Sequence, residues 1–446
     1  MKPAPLVAAA VAPADLLVRG AHVLDPGAGI DAPGDVLVCA GEIAEIGSPG
    51  SLEAPEGAEV VDGEGRHLFP AFVDPHVHLR TPGHEHKEDL ETGTRAAAAG
   101  GFGAIVAMPN TDPTVDSASV LRSLRDAAAA DARVPVGFLA SITLGLRGEG
   151  LTEMAELREA GALGFTDDGL PVVSAGLLQR ALQYQRLCGG VIALHEEDPT
   201  LSGAGVMHEG EVSAALGMTG IPSISESTMI ARDAAIAGYE AARIHVQHVS
   251  CRESIAAVAA AKADGVRITA EVTPHHLVFT DEAIRGELHT RFKMNPPLRA
   301  EADRAALVEA LRDGTIDCVA TDHAPHARHE KEVPFEEAPM GTTGLETAFS
   351  ALYTELVLPG ALPLATLISR MTADAAGTLD LPAPAIAPGA PGNLVLVDLE
   401  AEWEVGESGY ESRSENCAFA GRRLRGQILL TIAAGAIAFQ KAEVAA

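Results

Sequence analysis

A chain of 446 residues is too long for a peptide-sized module and long enough for one large α/β barrel or two to three ordinary domains. Its 32 Lys plus Arg against 62 Asp plus Glu leave a formal charge of -30 at pH 7, which repels phosphate backbones and anionic lipid, so neither nucleic acid nor membrane is expected as a partner. With 47% hydrophobic and 21% charged residues the chain reads as globular, and aromatics at 4% leave the core to aliphatic side chains.

In chain order, the start MKPAPLVAAAVAPAD looks superficially like a signal peptide, but its apolar run is very short and Pro-broken, so residues 1–14 read as a disordered extension. From Asp15 to Phe69 short β-rich runs (LLVRGAHVLD, DVLVCAGEIAEIG, AEVVDGEGRHLF) are broken by Gly and Pro, giving small strands and tight turns. After Pro70 the pattern changes. Apolar strands (FGAIVAMPN, VPVGFLAS, ALGFTDD, VIALHEE, RIHVQHVS, RITAEVTP, IDCVATDH) alternate with Ala-rich amphipathic helices. Such a series over residues 70–380 predicts a TIM-type (β/α)8 barrel, with a doubly wound open sheet as the alternative. Near Leu381 a Pro/Gly-rich linker, LPAPAIAPGAPG, opens a last segment, 381–446, that returns to strand-like runs. The two β-rich ends, 15–69 and 381–446, are expected to compose one small β-sandwich domain beside the barrel. The apolar stretch Ile428–Phe439 is far shorter than the ~20 residues of a membrane-spanning helix. Cys39, Cys188, Cys251, Cys318 and Cys417 are scattered and form no C-x-x-C pair, so no disulfide framework is indicated and a cytoplasmic setting fits best.

Metal-compatible side chains fall repeatedly at the C-terminal ends of these strands, the edge that carries active sites in barrels. In FVDPHVHLR, residues two apart share a strand face, so His76 and His78 present two imidazoles to one point. VIALHEEDP places His195 at a strand end. IHVQHVSC offers His245 and His248, which cannot share a face; His248, nearer the C-terminal end, is the candidate ligand, and His245 a packing or supporting residue. IDCVATDH ends in Asp322, and ALGFTDDG supplies Asp167 and Asp168, one of which should point away. Four histidines and two carboxylates can hold two divalent ions, and a hydroxide between two such ions is a nucleophile at neutral pH. The chain has only Lys2, Lys87, Lys262, Lys293, Lys331 and Lys441, none ending a strand between His78 and His195, so a carboxylated lysine is not available as a bridge and Asp167 or Asp168 must serve.

A second set suits an anionic, amide-bearing ligand. Arg80 can make a bidentate contact to a carboxylate. Asn110 and Asn295 sit in Pro-bounded loops where an amide can donate and accept together, although Asn near Pro is commonly turn chemistry alone. His326 could donate to substrate, and the Gly- and Pro-rich stretch from His323 through GTTGLET fits a loop over the site.

In order through nearly the whole chain stand FPAFVDPHVHLRTPG, EHKEDLETGTRAAAAGGF, AMPNTDP, GFTDDG, LHEED, HVQHVS, TPHHL, KMNPPLR, ATDHAPH and GLET. On these motifs the chain resembles the long, bacterial class I dihydroorotases of the amidohydrolase superfamily. HLR-x-PG with MPNT and DDG is far more specific than H-x-H, which all amidohydrolases share. The resemblance implies a barrel plus composite β-sandwich, two Zn2+ per subunit bridged by an Asp, and reversible cyclisation of N-carbamoyl-L-aspartate to L-dihydroorotate in pyrimidine biosynthesis. By matching motif it implies one metal on His76, His78 and the bridging Asp, and a second on that Asp, His195 and His248. Asp322 would ligate the first metal and act as general base and acid. The DDG match favours Asp168 as bridge. Arg80, Asn110, Asn295 and His326 match substrate contacts, joined by backbone at Met340 and Gly341. A homo-oligomer and association with aspartate transcarbamoylase are family-level expectations. Thr81 departs from the acidic residue usual in HLREPG. Two alternatives stand beside this reading: a hydantoinase or allantoinase, against which the absent strand-end lysine argues, and a non-catalytic scaffold, against which the full ligand set argues.

Overall fold

The computed structural model describes residues 6–286, 288–442 and 444. The alternation after Pro70 becomes eight parallel strands in barrel order: Phe72–Val77, Phe102–Ala107, Val136–Ala140, Gly164–Phe165, Val191–Leu194, Arg243–Val246, Arg267–Val272 and Cys318–Val319. The first and last close on each other through a parallel bridge between Val77 and His323, where the His78 N–H donates to the His323 carbonyl at 2.9 Å. The strands lack polar alternation because helices cover them from outside: all six residues of FGAIVA are buried. The intervening helices begin where side chains can take up free N–H groups. Asp89, for instance, accepts from the Thr92 N–H at 2.8 Å while Thr92 Oγ1 accepts from the Asp89 N–H, a capping box that starts Leu90–Ala99.

The β-rich ends meet as expected. Strands Leu16–Asp25, Ile30–Cys39, Glu42–Gly47, Glu59–Asp62 and His67–Pro70 join Leu394–Glu404, Arg423–Ala433 and Ala436–Gln440 in one eight-stranded sheet. Its central seam is the antiparallel pairing of Phe69 with Val395. This sheet has its own aliphatic cluster, including Leu16, Val36, Leu68, Leu394 and Leu430. The expectation of an aliphatic core needs one correction. Phenylalanine is scarce but concentrated: Phe69, Phe72, Phe102, Phe138, Phe165, Phe349 and Phe419 are all fully buried. Phe349 lies 5.2 Å from Phe72 and 5.9 Å from Phe69 between ring centroids, so the rings fill the seam between barrel and sheet.

Of the extension expected to be disordered, residues 1–5 lie outside the described residues. Beyond them Val7 pairs antiparallel with Val136, and Leu6 packs against a cluster that contains Val73 and Leu163. An apolar pair without a visible partner in the sequence thus covers the barrel floor, at the N-terminal ends of the strands. Among the described residues no helix is long and apolar enough to cross a membrane.

Candidate active site

At the opposite, C-terminal end of the strands the metal-compatible side chains converge. His76 is the penultimate residue of the first strand and His78 follows it. Behind them Asp74 accepts from the N–H groups of His76 and Thr321, both at 3.1 Å, and from Thr321 Oγ1 at 2.5 Å, which laces the first strand to the segment leading into Asp322. Burial pushes the Asp74 carboxyl up to about 7, against those hydrogen bonds.

One carboxylate reaches all four imidazoles. Asp168 Oδ1 lies 3.4 Å from His76 Nε2, 3.6 Å from His248 Nε2 and 4.0 Å from His195 Nδ1, and its Oδ2 lies 3.4 Å from His78 Nε2. Asp322 Oδ1 sits 3.1 Å from His78 Nε2 and 3.5 Å from His76 Nε2. Candidate ligand atoms of His76, Asp168 and His248 are mutually within 4.8 Å, as are those of His76, His78 and Asp322. Asp167 is turned away. It accepts from the Ile142 N–H at 2.8 Å, the Thr143 N–H at 3.0 Å and the Thr143 hydroxyl, so it ties the loops after two neighbouring strands.

Electrostatics match this geometry. Burial disfavours charge on Asp168, but His76, His248 and His78 around it hold it well below the usual carboxylate range. For Asp322 burial is likewise outweighed, by His78, His76 and His248, and its carboxyl is also held low. Burial would lower His76, yet Asp168 and Glu271 raise it well above the ordinary imidazole value. The cleft floor is therefore a set of ionised carboxylates facing imidazole nitrogens.

Three imidazoles have their remote nitrogen bound to a side-chain oxygen. His76 Nδ1 meets Glu271 Oε1 at 2.6 Å, His78 Nδ1 meets Asn110 Oδ1 at 2.9 Å, and His195 Nε2 meets Glu197 Oε2 at 3.2 Å. Each pairing fixes the tautomer so that the other nitrogen offers a lone pair to the centre. His76 Nε2 is buried with no hydrogen-bond partner and lies 3.4 Å from Asp168 Oδ1, a pair that a proton or a metal cation between them would satisfy. The donor set, nitrogens and carboxylate oxygens with supporting acceptors, fits divalent metal.

A cleft of about 290 Å³ opens above this floor. His78, Asp168, His195, His248 and Asp322 line it, and so do Arg80, Asn110, Asn295, His326, Met340 and Gly341; His76 lies beneath. Arg80 donates Nε to the Pro325 carbonyl at 3.1 Å, which leaves its terminal nitrogens for a ligand. Asn295 donates Nδ2 to Glu197 Oε2 at 2.7 Å. His326 Nε2 meets the Met340 carbonyl at 2.8 Å, and burial, with Arg80 nearby, pushes its imidazole down to about 3.

Sequence reasoning missed Glu271 and Glu197. Glu271 accepts from His76 and, through Oε2 at 2.9 Å, from His245, which is thereby a supporting residue and lies behind the site. For Glu271 the available signal was an acid in the buried C-terminal half of the strand RITAEV, between Ala270 and Val272.

Over residues 65–254 the chain matches the family model described as Dihydro-orotase-like. It is 44% identical over 425 residues to a protein named Dihydroorotase from Pelotomaculum thermopropionicum, across 95% of this chain and 98% of that one. It is 45% identical over 430 residues to a protein of the same name from Anaeromyxobacter dehalogenans, across 96% and 98%. Among solved structures, an L-hydantoinase (dihydropyrimidinase) from Arthrobacter aurescens superposes with a TM-score of 0.85 at 25% identity, covering 97% of both chains. A D-hydantoinase (dihydropyrimidinase) from Thermus sp. does so with 0.82 at 26%, covering 95% of both.

Proposed function

The chain belongs to the dihydroorotase family, and from that premise we propose that its cleft interconverts N-carbamoyl-L-aspartate and L-dihydroorotate with two zinc ions bridged by Asp168. His76, His78 and Asp322 would hold one ion, and His195 and His248 the other. The observation that carries this reading is the single carboxylate of Asp168 within 3.4 to 4.0 Å of four imidazole nitrogens. When bound, the ions would supply Lewis-acid polarisation of the ring carbonyl and ease deprotonation of the attacking water.

The remaining work falls to side chains. Asp322, ionised and at the cleft floor, takes a proton from the attacking water and delivers it to the ring nitrogen as the C–N bond breaks. In cyclisation it takes a proton from the ureido nitrogen as that nitrogen attacks the side-chain carboxylic acid, and passes it to the departing hydroxyl, which leaves as water. The terminal nitrogens of Arg80 suit the substrate carboxylate. Asn295, whose nitrogen is committed to Glu197, has its oxygen to accept from a ring N–H, and Asn110 lines the same cleft while keeping His78 in its tautomer. Fixing the ring this way aligns the carbonyl over the metal cluster.

The test is hydrolysis of dihydroorotate, hydantoin and allantoin side by side, with zinc stoichiometry. Turnover of dihydroorotate by protein carrying two zincs is expected. A preference for hydantoin or allantoin would overturn the substrate, and a purified protein without metal would overturn the metal centre.

A further inference from the structure

Between the sheet strands Leu394–Glu404 and Arg423–Ala433 the chain makes no tight hairpin; it crosses to the cleft mouth instead. Its polar residues attach one after another to barrel loops. The N–H groups of Glu411 and Ser412 donate to the Glu346 carboxylate at 3.0 and 3.1 Å. The Ser412 hydroxyl and the Arg413 N–H donate to buried Glu88, whose carboxylate also faces His323 Nε2 at 3.3 Å. Ser414 Oγ donates to the Lys87 carbonyl at 2.6 Å.

The strap ends on Asn416, which is 8% exposed. Its Nδ2 donates to the carbonyls of Ala324 and Gly341, both at 3.1 Å, and its Oδ1 accepts from the His326 N–H at 3.0 Å. Its own carbonyl accepts from Thr342 Oγ1 at 3.0 Å. Ala324, His326 and Gly341 all line the cleft, and Asn416 does not. One amide therefore fixes three points of the wall from behind. The wall has little slack: Gly341 has φ +138°, and a Cβ there would stand 2.9 Å from the Ala324 Cβ and oxygen and 3.0 Å from His326 Nε2.

We propose that Asn416 is a positioning residue for the substrate, through which the sheet domain sets the Ala324–His326–Gly341 wall and hence the fit of the anionic ring. This rests on the dihydroorotase reading of the cleft. Because Asn416 touches none of the six candidate metal ligands, its loss should act on substrate affinity and spare the chemistry.

The test is kinetic. Asn416→Asp keeps the acceptor for His326 but removes both donated hydrogen bonds and places a charge before two carbonyls. It should raise KM for dihydroorotate about tenfold or more while kcat stays within about threefold. Zinc content should match the parent, and the exposed-loop control Ser408→Ala should leave both constants unchanged. Thr342→Val, which loosens the strap without touching the amide, should raise KM in the same sense, and it carries the test if Asn416→Asp does not fold. An unchanged KM in a folded variant, or a fall in kcat and zinc together at constant KM, overturns the proposal. A parent protein that does not turn over dihydroorotate would instead refute the proposed function.

Discussion

Glu271→Gln is the sharpest probe of the metal centre, because the carboxylate is only 1% exposed and its role is to hold other groups. It accepts from His76 Nδ1 at 2.6 Å, His245 Nε2 at 2.9 Å and the His248 N–H at 3.3 Å. Glutamine keeps the shape but turns one oxygen into a donor. If the new amide faces His76, it donates to Nδ1 and drives the proton to Nε2, the atom needed for metal. If it faces His245, that ring can move its proton to Nδ1 beside the Thr269 hydroxyl, but the carboxylate charge behind His76 is lost. Either arrangement should weaken metal binding about 10- to 100-fold, or about 1.4–2.7 kcal/mol. Competition with a chelator of known affinity reads this directly, and activity should return on adding excess zinc. Undiminished zinc affinity in the folded variant would refute the tautomer argument. The variant should also change acid stability. Burial would raise the Glu271 carboxyl, but His76 and His245 hold it at about 2, below its ordinary value of 4.5. A depressed carboxylate stabilises the fold above its unfolded pKa, and that contribution fades as pH falls from about 4.5 toward 2. In glutamine this part of the acid transition should vanish.

Asp168→Asn should abolish stoichiometric zinc binding, whereas Asp167→Asn should cost about 1–3 kcal/mol of stability through its contacts to Ile142 and Thr143, with zinc retained; the reverse pattern would exchange their roles. Gly341→Ala, which combines a strained φ with the contact at 2.9 Å, should lower kcat/KM for dihydroorotate at least tenfold with little change in zinc content, as steady-state kinetics will read. Lys331 is pushed down to about 7 by burial, with Lys293 adding to it, and donates to the Pro339 carbonyl at 2.8 Å. Between pH 7 and 10.5 the unfolded chain keeps a proton that the folded one releases, so this group makes stability rise with pH by up to about 1.4 kcal/mol per unit; urea melts of Lys331→Met should lack that rise.

The legible parts of the site were those whose information is local. A strand that ends in His or Asp announces both its direction and its chemistry, so His76, His78, His195, His248 and Asp322 could be chosen one strand at a time. The choice between Asp167 and Asp168 could not be made this way, because what turns Asp167 aside is backbone at Ile142 and Thr143, on the loop after the neighbouring strand. Asn110 shows the same limit. Its sequence context suggests a ligand contact, and in the structure it lines the cleft while its oxygen also meets His78, a pairing that the local sequence does not announce. Glu271 meets His76 across 195 residues and Asn416 meets Ala324 across 92, and no periodicity encodes such pairings. The fold was legible for a related reason: the change from β-rich runs to strand–helix alternation at Pro70 is a change of local period. The aromatic seam was hidden, since a low aromatic fraction says nothing about where the few rings gather.

The charge of -30 acquires a sharper meaning at the cleft floor. Asp168 and Asp322 are both held ionised by imidazoles, so without metal the floor presents carboxylates to a substrate that is itself anionic. Arg80 and the His76 imidazole, which Asp168 and Glu271 raise well above its ordinary value, offset part of that repulsion. The two divalent cations proposed for this floor would reverse the local sign, because their four positive charges would exceed the two carboxylates that would hold them. The ions proposed to activate the carbonyl would thus also make the cleft attractive to the substrate, and binding would become coupled to metal loading. Asn416 and Glu271 would then act on separable quantities: one on the wall that the anion leans on, and the other on the tautomer that would bring the cations there.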